Sequence, residues 1–413
     1  MTRDRLLIAN LGAEEGDDWR AHRREPSVRC AARLWRGLFG PAARWLDDDA
    51  SNTALAWPPA LGASPRAPVF DWLDASGNAT AWFNTDEAER AASAAGRSLS
   101  GAPPAAVSRL HDKAFAHREA LAAGLVPAPL RDTVHVLDPA LLRDEAEAVR
   151  RIEAVVAGWP PRLRRRFTLK PRFGSSGRGR VAGADSRADA PELRGALARL
   201  ADRGGAMLEP WLQRRADLSA HLVVEEAGGL RLLGTLEQAV TPSGVPIGHR
   251  GLVDARGRVS SGTAYDEALR EAAAAIGAAA GAQGYFGPCG IDAFAFEDPF
   301  EDVGGAPELR PVVEFNARFT TGLVALGWVR HALGTLRAHL GLVPGELRAF
   351  YFGLDAPPGG WPEDAGDGSH ALIPIDWGDG GRRPALLLAR SLDALDRLIA
   401  AGPAGPPVSS ASS

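Results

Sequence analysis

Two short runs near residue 300 constrain the fold more than any other feature of the sequence. GIDAFAF (290–296) and PVVEFNARF (311–319) both alternate with a period of two, and an acidic, glycine-containing loop separates them. That period belongs to strands, whose successive side chains point to opposite faces, so the runs are read as paired strands. Alternation puts Asp292, Phe294 and Phe296 on one face of the first run, and Glu314, Asn316 and Arg318 on one face of the second. Two carboxylates and an amide from adjacent strands form an oxygen set suited to a hard divalent cation, Mg²⁺ or Mn²⁺. The neutral amide of Asn316 keeps the charge of the set low enough for a bound triphosphate. The competing reading is the solvated face of an edge sheet, and Glu-x-Asn-x-Arg beside a hydrophobic run is unusual for such a face.

A second segment, FTLKPRFGSSGRGRV (167–181), reads as a strand, a glycine-rich turn and a returning strand. Backbone N–H groups in such a turn can point inward as an anion nest, and Lys170 just upstream adds a point charge. The turn is not a P-loop, because GK[ST] is absent, and it opens no helix as a dinucleotide fingerprint would. By itself a glycine-rich hairpin is more often only a hairpin. In MLEPWL (207–212), Glu209 leads into an apolar turn that can offer backbone groups to an adenine edge, and a purely structural role is equally open.

Composition adds weight to the lysines. Of 47 basic residues only two, Lys113 and Lys170, are lysine. Where arginine serves almost every generic positive charge, a retained lysine marks a place for a compact ammonium that a planar guanidinium would not fit. The formal net charge of −4 argues against a nucleic-acid surface. No run approaches the roughly 20 apolar residues of a membrane span. Two cysteines, Cys30 and Cys289, are too few for a disulfide framework. With no signal-peptide pattern at the start, a cytoplasmic location is expected.

Around these motifs, a strand at Leu6–Ala9 opens a small α/β unit, and residues 47–68 read as loops. GRSLSGAPP (96–104) is the first linker. Apolar periodicity predicts single helices over 104–123, 138–158, 264–280 and 323–340, and a shorter one near 193–200. LSAHLVVE and LRLLGTLE read as antiparallel strands joined at Gly228-Gly229. Strands near 371–376 and 385–389, a helix near 391–400 and a disordered tail over 401–413 complete the chain.

The order of these pieces resembles the ATP-grasp superfamily, in particular its carboxylate–amine (peptide) ligases. It runs helix with lysine, strand-Lys-Pro with glycine loop, Glu-bearing hinge, Asp strand and Glu-x-Asn strand. The resemblance covers about residues 105–340. It implies an α/β (α+β) fold: a small α/β pre-ATP-grasp domain over 1–104, then an ATP-grasp domain over 105–345. That domain would hold a nucleotide-binding lobe at about 165–215 and a metal-binding lobe at about 216–345, with an extension over 346–400 packed on the core. Residue by residue, it implies that Lys113 and Lys170 contact ATP phosphates under a loop of Gly174, Ser175, Ser176, Gly177 and Gly179. Glu209, with the backbone through Trp211 and Leu212, would hold adenine, and Asp217 the ribose. Asp292, Glu314 and Asn316 would bind Mg²⁺, and Arg318 would face an acyl-phosphate. Gly290 stands where D-alanine ligases carry a substrate-facing arginine, which points away from that activity. The implied reaction joins a small carboxylate to an amine through an acyl-phosphate, with ADP and phosphate released and a homodimer as the default assembly. A kinase on the same fold and a non-catalytic ATP-binding module stay open. His249 and Arg250, in PIGHRG, are candidates for the substrate pocket, with a surface hairpin slightly favoured.

Overall fold

The structure, a computed structural model, describes residues 5–15, 25–40, 43–46, 57–63, 68–73, 77–174, 179–184, 187–188, 190–241, 246–297, 307–357, 360–363, 368–375 and 382–401. The chain begins with β1 (Arg5–Ile8), α1 (Pro26–Arg36), β2 (Ala43–Trp45), β3 (Ala79–Ala81) and α2 (Asp86–Ala94). The three strands form a small parallel sheet in the order β2-β1-β3. Parallel sheets need cover on their faces. Here Trp35, Phe39, Trp45 and Trp82 are buried together, with Trp35 also packed edge-on against Phe319 at 5.1 Å.

Next come α3 (Pro104–Leu110), α4 (Lys113–Ala122), β4 (His135–Leu137), α5 (Pro139–Arg143), α6 (Glu145–Gly158), β5 (Arg166–Pro171), β6 (Val181–Ala184), α7 (Pro191–Asp202) and β7 (Ala206–Pro210). Their strands pair antiparallel in the order β4-β7-β5-β6. Periodicity predicted one helix over 104–123 and one over 138–158, and each is broken in two. At each break an aspartate caps the second helix: Asp112 accepts from the Ala114 N–H at 2.9 Å, and Asp144 from the Glu147 N–H at 3.1 Å. A side chain that satisfies an orphan N–H favours a new helix start over continuation, while the apolar period runs on undisturbed.

The remainder is β8 (Arg214–Val224), β9 (Leu230–Val240), β10 (Pro246–Asp254), β11 (Val259–Ser260), α8 (Asp266–Ala282), β12 (Gly287–Phe296), β13 (Glu308–Asn316), α9 (Thr321–His331), α10 (Leu333–Leu340), β14 (Leu347–Gly353), β15 (His370–Pro374), β16 (Ala385–Ala389) and α11 (Leu392–Ala401). A nine-stranded sheet runs β13-β12-β8-β9-β11-β10-β14-β16-β15. The expected β8–β9 hairpin and β12–β13 pair are both present and antiparallel. The helix expected over 323–340 is again two, and the last three strands continue this same sheet beyond β10. Helix α8 packs on β8 beside Leu222 and α9 packs beside His221, so both faces are covered and β8 is buried from Leu218 to Val224 without alternation. Among the described residues no helix is long and apolar enough to cross a membrane.

Candidate active site

The β12–β13 register sets Asp292 directly across from Glu314, and Gly290 across from Asn316. The pairing brings the three predicted oxygen donors together at one end of the two strands. Asp292 accepts from the Gln238 amide through Oδ1 at 3.0 Å and from the Asn316 amide through Oδ2 at 3.1 Å. Burial, and then the charge of Glu314, push the Asp292 carboxyl up to about 6. Oxygen donors alone suit a hard cation rather than a soft one. No group of three His, Cys, Asp or Glu side chains gathers among the described residues, and the Asn316 amide stands beside the carboxylate pair. The set fits Mg²⁺ or Mn²⁺.

The two lysines come from different elements. Lys113 is the first residue of α4, and its ammonium donates to the Gly174 carbonyl at 2.8 Å and stands 3.4 Å from Glu314 Oε2. Lys170, on β5, is ion-paired with Glu209 on β7, whose other oxygen accepts from Arg310 at 2.9 Å. Burial pushes the Lys170 ammonium down to about 8, although Glu209 opposes the shift. Burial would raise the Glu209 carboxyl, but the charges of Lys170 and Arg310 outweigh it and hold Glu209 well below the carboxylate range. Ser175, Ser176 and Gly177 lie outside the described residues.

A cleft of about 530 Å³ opens between these groups. Lys170 and Gly174 line it from the four-stranded side, Lys113 from α4, and Asp217, Asp292, Glu314, Asn316 and Arg318 from the nine-stranded side. Gly179, Glu209, Trp211 and Leu212 are not among its lining residues. The Trp211 ring instead lies between the guanidinium groups of Arg180 and Arg166, at 4.4 and 5.2 Å, and the Glu209 carboxylate is engaged by its two ion pairs.

Searches of solved structures return relatives along nearly the whole chain. The biotin carboxylase of Campylobacter jejuni, in a complex with an ATP ligand, aligns with a TM-score of 0.53 at 13% identity, over 95% of this chain and 89% of that one. The biotin carboxylase domain of the Hydrogenobacter thermophilus 2-oxoglutarate carboxylase, crystallised with MgADP, ADP and bicarbonate, gives 0.51 at 14%, over 96% and 89%. The N5-carboxyaminoimidazole ribonucleotide synthetase of Thermus thermophilus gives 0.50 at 18%, over 98% and 99%. The chain has the ATP-grasp fold. No protein-family model and no curated protein matches the sequence.

Several further polar residues line the cleft or its surroundings without belonging to a sequence motif. His249 is one that the sequence read wrongly: it is 2% exposed, bonds Thr321 Oγ1 through Nε2 at 2.8 Å and lines the cleft. The surface-hairpin reading fails because β10 is interior to the sheet, flanked by β9, β11 and β14. Arg250 is held by Glu237 at 2.9 Å and by Asp396. His221 is buried between Ser219 Oγ at 2.9 Å and Thr320 Oγ1 at 3.1 Å, and burial pushes it down to about 3. Gly322 faces it closely, since a Cβ there would lie 2.1 Å from the ring. Gln238 joins the oxygen donors from β9. Glu14, in the N-terminal unit, reaches Arg318 at 3.2 Å with its side chain only 3% exposed. The alternation of β8 and β9 could have flagged His221 and Gln238 as facing residues, whereas nothing local marks Glu14.

Proposed function

We propose that this protein is an ATP-dependent ligase that joins a small amino-acid-like or peptide-like carboxylate to an amine through an acyl-phosphate, releasing ADP and phosphate. The observation that carries the reading is the convergence on one cleft of the only two lysines, one from α4 and one from β5, with the Asp-Glu-Asn oxygen set of β12 and β13. Nucleotide bound to the Campylobacter and Hydrogenobacter relatives supports it. Lys113 and Lys170 would neutralise the phosphates, beneath the turn that begins at Gly174, and Asp217 would hold the ribose. Asp292, Glu314 and Asn316 would hold Mg²⁺, which supplies charge neutralisation at the transferring phosphoryl group.

The substrate carboxylate attacks the γ-phosphorus and ADP leaves. The amine then attacks the acyl carbon, loses a proton and displaces phosphate. Arg318 stands at the cleft to stabilise the oxyanion of that second step, where a donor aimed at developing charge contributes most. Residues 1–104 and 346–400 would shape the pocket for the carboxylate and amine.

The test is a library of carboxylates with MgATP and hydroxylamine. ADP, free phosphate and a hydroxamate are expected in step. AMP and pyrophosphate would overturn the mechanism, a stable phosphorylated acceptor would indicate a kinase, and nucleotide binding without turnover would indicate a binding module.

A further inference from the structure

Lys113 touches more than Gly174. Its ammonium, on a residue 8% exposed, stands 3.4 Å from Glu314 and donates to the Gly174 carbonyl at 2.8 Å. The residue has little freedom to move away. Asp112 caps α4 and is ion-paired with Arg172, while the Lys113 backbone N–H donates to the Arg172 carbonyl at 3.3 Å. Helix α4 itself packs on β13, with Phe115 edge-on to Phe315 at 5.7 Å. The carboxylates that would hold the metal therefore meet donors of the chain itself: Asp292 meets Gln238 and Asn316, and Glu314 meets a full positive charge.

We propose, as a deepening of the ATP-ligase reading, that Lys113 is a stand-in cation for the Asp292–Glu314 pair: it balances Glu314 when no nucleotide is bound and keeps a divalent cation weakly held. The cation is then bound firmly only with the nucleotide, whose phosphates take over the charge of Lys113. A dication entering beside a fixed ammonium meets like-charge repulsion in a partly desolvated site, where water screens it poorly. Phosphate oxygens offset that repulsion by adding negative charge that attracts both cations.

The experiment titrates Mn²⁺ into the full-length protein without nucleotide and follows the free ion by electron paramagnetic resonance. Lys113→Met removes the charge and keeps the chain length, and Lys113→Arg keeps the charge. The expected result is weak binding by the parent and by Lys113→Arg, and at least about tenfold tighter binding by Lys113→Met, within the reach of one neighbouring charge. Addition of ADP should tighten Mn²⁺ binding by the parent well beyond the affinity of Mn²⁺ for ADP in solution. Equal affinities for Lys113→Met and the parent, at matched melting temperatures, would overturn the proposal. If Lys113→Met does not fold, the ADP arm decides: Mn²⁺ held as tightly without ADP as with it sinks the idea. Failure of the ligase reading looks different, because Mn²⁺ would behave as described while no carboxylate yields a hydroxamate.

Discussion

Glu14 and Arg318 are 304 positions apart in sequence, yet they form a buried ion pair that fixes one end of the proposed reaction site. Glu14 Oε2 also accepts from the Gly12 N–H at 3.1 Å, and Arg318 donates to the Phe319 carbonyl at 2.8 Å, so the guanidinium is held at two points. Glu14→Gln keeps the shape and removes the charge. It should lower kcat for amide formation about tenfold or more, with ATP affinity within about twofold of the parent, because a misplaced donor costs the transition state and not the nucleotide. Equal losses in ATP binding and turnover would show a general structural role instead. Lys170 carries a pH prediction. With its ammonium pushed down to about 8, it is charged below that pH and neutral above it. ATP affinity should therefore fall as pH rises past 8, by up to about tenfold per unit, until the pKa of the nucleotide complex is reached. Arginine does not titrate in this range. Lys170→Arg should accordingly flatten the profile while costing about ten- to a hundredfold in turnover, the equivalent of one misplaced charged hydrogen bond. Direct nucleotide titrations and steady-state ADP release between pH 7 and 9 check both statements.

At the level of elements, the break between α3 and α4 matters more for function than either helix alone. A continuous helix over 104–123 would carry Lys113 in its middle, whereas capping by Asp112 makes it the first residue of α4, beside Arg172 and Gly174. Asp112→Ala removes both the cap and the ion pair with Arg172. It should lower stability by about 1–3 kcal/mol, a cap contributing about 1 and the partly buried ion pair the rest. It should also weaken nucleotide binding through the displaced lysine, while Asp112→Asn, which can still cap, should recover most of the stability. Melting temperatures and nucleotide titrations on the two variants decide this. The three predicted helices that turned out double have a common cause. Apolar periodicity reports which face is buried, and that face continues across a one- or two-residue break, so the period is blind to the break.

For the whole molecule, the N-terminal unit and the nine-stranded sheet are joined through aromatic packing. Trp328 of α9 is fully buried, stacks on Trp57 at 5.4 Å and donates from its indole to the Leu34 carbonyl at 3.0 Å. Trp328→Ala should cost about 3–5 kcal/mol, and limited proteolysis should show cleavage in residues 1–104 ahead of the rest. A single concerted loss of both parts would mean they do not come apart. The sequence alone carried the strand pairs, the oxygen donors and the two lysines, because a period of two, a fixed spacing and a near-absence of lysine are all properties of neighbouring positions or of composition. Tertiary structure alone decided the rest: that Glu209 is held between Lys170 and Arg310, that His249 lies on an interior strand, that the last three strands extend the main sheet, and that Glu14 meets Arg318. Each of these depends on which strands become neighbours in a sheet. That choice is made by burial over the whole chain, and no local period encodes it.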